Sequence, residues 1–190
     1  MARRGGAEQE AGEERFSRLY RAHARDVLAY ALPRAGGPED AADVVAETFL
    51  VAWRRIGDVP SGDEGRLWLY GTARRVLANQ RRGERRRDRL SSRLGSELAA
   101  AVAVPAPQGR EGAALLRVLA RLGEEDREIL MLAGWEELKS PQIARVLGIS
   151  AVAARVRLHR ARRRLRAELA AEEEGAPEVS VKELGLEEGR

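Results

Sequence analysis

Apolar positions recur at intervals of three and four residues along most of the chain, and no stretch of useful length alternates with a strand-like period of two. Phe16, Leu19, Tyr20, His23, Val27 and Ala31 share one side of a helix predicted from about Glu13 to Leu32, which Pro33 and the Gly36-Gly37 pair bring to an end. Pro38 suits the first position of a second helix, which runs to about Ile56 with Ala41, Val45, Thr48, Phe49, Ala52 and Ile56 inward. The segment from Gly57 to Gly65, GDVPSGDEG, reads as a loop. A third helix begins near Arg66 and turns Leu69, Thr72, Ala73, Val76 and Leu77 inward. From about Ala113, ALLRVLARL, EEDREILMLAGWEEL and KSPQIARVLGISAVAARVRLHRARRRLR predict four more short helices, the last two joined at Gly148 with the spacing of a helix-turn-helix. Ser140 and Pro141 read as N-cap and first position of the third of these. The expected fold class is all-α.

Seven of the eight aromatic residues precede residue 71, Trp135 being the exception. This asymmetry predicts an N-terminal core built on large rings and a separate C-terminal core of aliphatics. Between them, small residues and prolines fill the stretch from Leu90 to Gly112. The expected organisation is a flexible N-terminus over 1–12, a helical domain over 13–89 and a flexible linker over 90–112. A helix-turn-helix domain over 113–170 and an acidic, disordered tail over 171–190 complete it.

Composition narrows the function classes. Of 190 residues, 44% are hydrophobic and 34% charged, and there is no cysteine, which excludes disulfides, thiolate zinc sites and a cysteine nucleophile. No run approaches 18 apolar residues, so membrane insertion is not expected and a cytoplasmic protein is. Net charge is only +4, but it is segregated. Seven arginines and no acid lie between Ala151 and Arg166, ten arginines against two acids between Arg66 and Arg93, and eight glutamates against two bases from Glu168 to Arg190. Uncompensated positive blocks on helices point to a polyanionic partner.

In the last helix of the motif, Ala154, Leu158, Ala161 and Leu165 take the inward stripe. The opposite side then carries Val152, Ala153, Val156 and Arg160, flanked by Arg157 and His159. Arg157 and Arg160 reach far enough for base acceptors, and Val156 offers a contact to a thymine methyl. Arg155, Arg162, Arg163 and Arg166 suit phosphates. The third helix forms a second basic surface from Arg74, Arg81 and Arg85 beside Arg75, Arg82 and Arg86, with Asn79 between them; Trp68 and Tyr70 lie upstream, where a ring serves either the core or an unpaired base. The second helix has the opposite sign: Asp40, Asp43 and Glu47 form one stripe, completed by Arg54. Such a stripe is either a solvated face or a protein-docking surface.

EDAADVVAETFLVAWRRI, WLYGTARRVLANQRR and REILMLAGWEELKSPQIARVLGISAVAARVRLHRARRRLR, in that order, resemble the extracytoplasmic-function sigma factors of the sigma-70 family. The resemblance covers about Glu13–Arg89 and Ala113–Leu169. It implies that Asp40, Asp43, Glu47 and Arg54 meet core RNA polymerase. It further implies that Asp58, Asp63, Arg74, Arg75, Asn79 and Arg82 handle the −10 promoter element, and that Ala153, Arg155, Val156, Arg157, His159, Arg160 and Arg163 address the −35 duplex. Arg75 stands where the family usually has Asn, and Val156 where it usually has Ser. Members are commonly held inactive by an anti-sigma protein, so the implied partners are core polymerase, promoter DNA and an anti-sigma factor.

The rival reading is a stand-alone helix-turn-helix regulator, which leaves the aromatic N-terminal bundle and the acidic stripe without a purpose. An enzyme is disfavoured: His23 and His159 are the only histidines, and no acid spacing suggests a metal site or a nucleophile. No cofactor is expected. The acidic tail, from Glu172–Glu174 to Glu187-Glu188, either solubilises the chain or folds back on the arginine-rich helix.

Overall fold

The computed structural model describes residues 2–91 and 110–174, with side chains described over 10–83 and 112–172. Seven α-helices and no strand occur among the described residues: α1 (Ala2–Ala31), α2 (Pro38–Arg54), α3 (Asp63–Ser91), α4 (Arg110–Arg121), α5 (Glu124–Gly134), α6 (Ser140–Leu147) and α7 (Ala151–Glu174). The fold is all-α.

α1 starts well before the expected Glu13, because Ala, Arg, Glu and Gln hold a helix there in spite of Gly5 and Gly6. α3 likewise starts at Asp63 rather than Arg66, with Asp63 and Glu64 as acids in its first turn. α2 opens on Pro38, followed by Glu39 and Asp40. α6 is capped one residue earlier than expected: Lys139 is the N-cap, and its backbone N–H donates to Gln142 Oε1 at 2.9 Å. Gly148 closes α6 at φ 67°, ψ 36°, a left-handed conformation that side chains with a Cβ resist. Ser150 then starts α7 by accepting the Ala153 N–H on its Oγ at 3.1 Å.

The N-terminal helices pack α1 on α2 and α3, around Val27, Val44, Phe49, Leu69 and Ala73. Phe16 meets Trp53 edge-on at 5.2 Å and Tyr20 meets Phe49 at 4.8 Å, although Tyr20 stays 46% exposed instead of turning inward. Tyr70 is core: it is buried and stacks on Tyr30 at 4.9 Å. Trp68 is half-buried against the same core. In the C-terminal half, α7 lies across α4, α5 and α6, burying Leu132, Ile143, Ala154, Leu158 and Ala161.

The two cores are not separate. Buried residues of both halves form one cluster, joined where α3 crosses α6. Gly71 is buried at this crossing, where a Cβ would stand 3.4 Å from the Val146 carbonyl oxygen, an ordinary van der Waals contact. Most of the expected linker over 90–112, and the tail beyond Glu174, lie outside the described residues.

Candidate nucleic-acid interface

α7 presents two faces. Ala154, Leu158 and Ala161 are buried and Leu165 is half-buried, as their spacing requires. Arg155, Val156, Arg157, His159, Arg160 and Arg163 are exposed on the other side, and Ala153 is half-buried beside them. The seven expected residues thus share one accessible surface, and no acid occupies the first turn of α7 to oppose an anion.

α3 carries the second basic surface. Arg74, Arg75, Asn79 and Arg82 are exposed, and the Arg82 guanidinium donates to Asn79 Oδ1, which presents the pair as a unit. Thr72 faces the core and donates its hydroxyl to the Trp68 carbonyl at 3.0 Å. A cleft of about 1010 Å³ opens between α3 and α5, lined by Arg74, Arg75, Asn79 and Arg82 on one wall and Glu124, Glu125 and Arg127 on the other. Asp58, in the loop before α3, and Asp63, the first residue of α3, are exposed, but Asp58 is engaged by Arg55, which donates from Nε and Nη2 at 3.0 Å each.

The acidic stripe lies across α2. Asp43, Glu47 and Arg54 are exposed and Asp40 is half-buried. A groove of about 850 Å³ between α2 and α3 is lined by Asp43 and Glu47 together with Arg75 and Asn79, and by the apolar Leu50, Val51 and Val76. Two of the expected docking acids and two of the expected strand-handling residues therefore share one surface.

One cluster was not visible in the sequence. Arg34 is buried, its side chain only 3% exposed, at the junction of the two halves. Its Nε donates to Glu128 Oε2 and its Nη1 to Glu136 Oε1, both at 2.8 Å, and Nη1 also donates to the Tyr30 carbonyl at 2.8 Å. Tyr30 Oη donates to Glu128 Oε1 at 2.7 Å, and the guanidinium lies 3.9 Å above the Tyr30 ring centroid. Burial pushes the Glu136 carboxyl above the usual range even against Arg34. Burial, reinforced by Glu128, raises the Tyr30 hydroxyl well above its ordinary value, so it remains a donor at neutral pH. Burial opposes the charge of Arg34, but Glu128, Tyr30 and Glu136 outweigh it. Polar residues 94 and 102 positions apart carry no periodicity that links them, so no single-sequence signal identified the cluster.

The first turn of α5 is a further electrostatic junction. Glu124 pairs with Arg81 of α3, while Glu125 and Asp126 pair with Arg157 and Arg164 of α7. Arg145 of α6 reaches Glu64 at the start of α3. Glu172 near the end of α7 accepts from Arg117 and Arg121 of α4, and those hydrogen bonds hold its carboxyl below the usual range. Among the described residues no group of three or more His, Cys, Asp or Glu is placed to hold a metal ion, and no helix is long and apolar enough to cross a membrane.

Comparison with known proteins gives this arrangement its context. Residues 19–87 match the family described as Sigma-70 region 2, and residues 112–165 match Sigma-70, region 4. The RNA polymerase sigma factor NccH of Alcaligenes xylosoxydans xylosoxydans is 32% identical over 80% of this chain and 85% of its own length. The ECF RNA polymerase sigma factor SigL of Mycobacterium tuberculosis is 35% identical over 87% of this chain and 94% of its own. Among solved structures, CnrH in complex with the cytosolic domain of CnrY aligns with a TM-score of 0.57 at 28% identity, covering 83% of this chain and 88% of that one. With the region 2 match on the helices of the acidic stripe and the α3 surface, and the region 4 match on the helix-turn-helix, the chain belongs to the extracytoplasmic-function sigma factors of the sigma-70 family.

Proposed function

We propose a division of labour among three surfaces of this sigma factor. Asp40, Asp43, Glu47 and Arg54 of α2 dock on core RNA polymerase. Asp58, Asp63, Arg74, Arg75, Asn79 and Arg82 handle the opened −10 strand, and α7 reads the −35 duplex through Ala153, Arg155, Val156, Arg157, His159, Arg160 and Arg163. The observation that carries this reading is the separation of the two basic faces, one on each half, with the acidic stripe adjoining only the first. Two modestly selective contacts fixed on one polymerase act together through effective concentration. Binding energy for an extruded base offsets lost stacking, on the order of a few kcal/mol, so no nucleotide hydrolysis is required and the chain acts as a specificity subunit, not a catalyst. It works in the cytoplasm, where polymerase and promoter are found. An anti-sigma protein is its further partner, a reading supported by the likeness to CnrH, which was solved with CnrY.

Run-off transcription with purified core polymerase on genomic fragments tests the proposal. The wild-type chain directs defined start sites, and D43K/E47K loses association with the core while retaining its fold. Tight, site-specific DNA binding by the free protein, with no effect on where RNA synthesis begins, would instead identify a stand-alone regulator.

A further inference from the structure

We infer that Val152 and Val156 form an apolar edge on α7 that selects two thymine methyl groups, about two base-pair steps apart, in the upstream promoter duplex. The inference rests on the reading that α7 faces that duplex. Val152 is 64% exposed and Val156 43%, the two most exposed large apolar side chains of the described C-terminal half after which only Leu116 follows, at 38%. They occupy consecutive turns of one stripe, opposite the buried Ala154, Leu158 and Ala161.

Nothing among the described residues covers them. A β-branched residue at an exposed helical position is a poorer helix former than alanine, and alanine occupies the neighbouring positions 151 and 153. Their surroundings define the partner. Arg155, Arg157 and Arg160 are exposed around them, so whatever covers the valines is polyanionic as well as locally apolar. The DNA major groove has both properties: phosphates line its edges, and the thymine C5-methyl is the apolar feature of its floor.

The geometry sets the spacing. Val152 and Val156 lie in the first two turns of α7, the end of a recognition helix that comes nearest the base edges. Four residues rise roughly 6 Å along a helix. Base pairs are stacked roughly 3.4 Å apart, so two valines aligned with the groove floor meet methyls about two steps apart. Arg160 continues the stripe one turn further, where it can reach a guanine acceptor or a phosphate. Ser150 fixes the entry angle by holding the Ala153 N–H at 3.1 Å.

The experiment uses holoenzyme assembled from the full chain and purified core polymerase, on a promoter mapped by run-off transcription. Each thymine of the upstream element is replaced in turn by deoxyuridine, which keeps the pairing and removes only the methyl. Loss of one buried methyl contact weakens binding about fourfold, and loss of both about 15-fold. Two thymines about two steps apart respond, and the others are silent. V152A/V156A, which alters only exposed side chains and keeps the melting temperature, loses this sensitivity, and V156A alone loses one of the two responses. An upstream element that lacks thymine, or that is recognised equally with uracil throughout, overturns the inference. So does a V152A/V156A chain that stays methyl-sensitive, or one whose defect lies in binding core polymerase while uracil has no effect, since that assigns the valines to a protein contact. If the holoenzyme ignores the upstream sequence altogether, the reading of α7 itself fails and the inference falls with it, an outcome distinct from sequence-dependent but methyl-blind recognition.

Discussion

Replacing Arg34 with Met should part the two halves of the molecule. The guanidinium is the only cation shared by Glu128 and Glu136 in the cluster, with both ion pairs at 2.8 Å and the two carboxylates 15% and 6% exposed. Removing one member of a buried network leaves its partners desolvated and unpaired, a loss of about 3–5 kcal/mol. Protonation of Glu136, already favoured by burial, relieves part of this, so about 3 kcal/mol is expected at neutral pH. That shifts the closed-to-open equilibrium roughly 150-fold. The penalty falls on the contact between halves because Arg34 follows α1 while Glu128 and Glu136 belong to the C-terminal half. Because the chain has no cysteine, R18C and A167C provide a unique dye pair for energy transfer. R34M should lower transfer efficiency and raise the radius of gyration, while R34M/E128L/E136L, which removes every charge of the cluster, should regain the closed form. Unchanged transfer in R34M, or a triple variant more open than the single one, refutes the reasoning. The opening matters for function. Promoter elements centred about 25 base pairs apart lie roughly 85 Å from each other, whereas α3 and α6 are in direct contact. The chain between Ser91 and Arg110 can extend to roughly 65 Å, long enough for the halves to separate.

Three further outcomes follow. Glu136 has a raised folded-state pKa, so the folded state binds its proton more tightly than the unfolded chain does; this contribution is fully present below the ordinary value near 4.5 and is lost as pH rises through the folded value, and E136Q should flatten that part of the stability profile measured by chemical unfolding. Gly148→Ala places a Cβ at φ 67° and should cost about 1 kcal/mol, read as a lower melting temperature, with the loss absent if the turn relaxes to negative φ. E124Q/E125Q/D126N frees Arg81, Arg157 and Arg164 from surface pairs worth about 1 kcal/mol each, so free-protein affinity for duplex DNA should rise several-fold at low salt and match wild type at high salt; equal affinity at low salt would show that the acidic turn does not compete with phosphate.

Helical periodicity made the elements and their inward faces legible because each depends on residues within a few turns. Ala154, Leu158 and Ala161 are buried opposite an arginine face, and Leu69, Thr72, Ala73, Val76 and Leu77 are buried as a set. Charge segregation likewise exposed the basic and acidic surfaces, since like charges along one helix need no long-range information. Capping was less legible: Lys139 and Ser140 compete for one N-cap, and a shift of a single residue decides which backbone N–H is satisfied. The junction between halves was not legible. Tyr30, Arg34, Glu128 and Glu136 are ordinary polar residues in sequence, and only their convergence in space makes them a buried network.

That convergence changes how the arginines of the chain are understood. Read along the sequence, they form two blocks awaiting a polyanion. In the folded chain they divide into kinds. Arg34 is consumed by an internal network and leaves Nη2 buried without a partner among the described residues, so its geometry favours a defined docking over maximal stability. Arg81, Arg157 and Arg164 are held by acids of a single helical turn, Glu124 and Glu125 exposed and Asp126 half-buried, in surface pairs weak enough for phosphates to displace. Arg74, Arg75, Arg155 and Arg160 are exposed and take part in no ion pair among the described residues. On the proposed assignment of the basic faces, promoter binding should draw first on this last group, gain the second as the acidic turn is displaced, and leave Arg34 outside its salt dependence altogether.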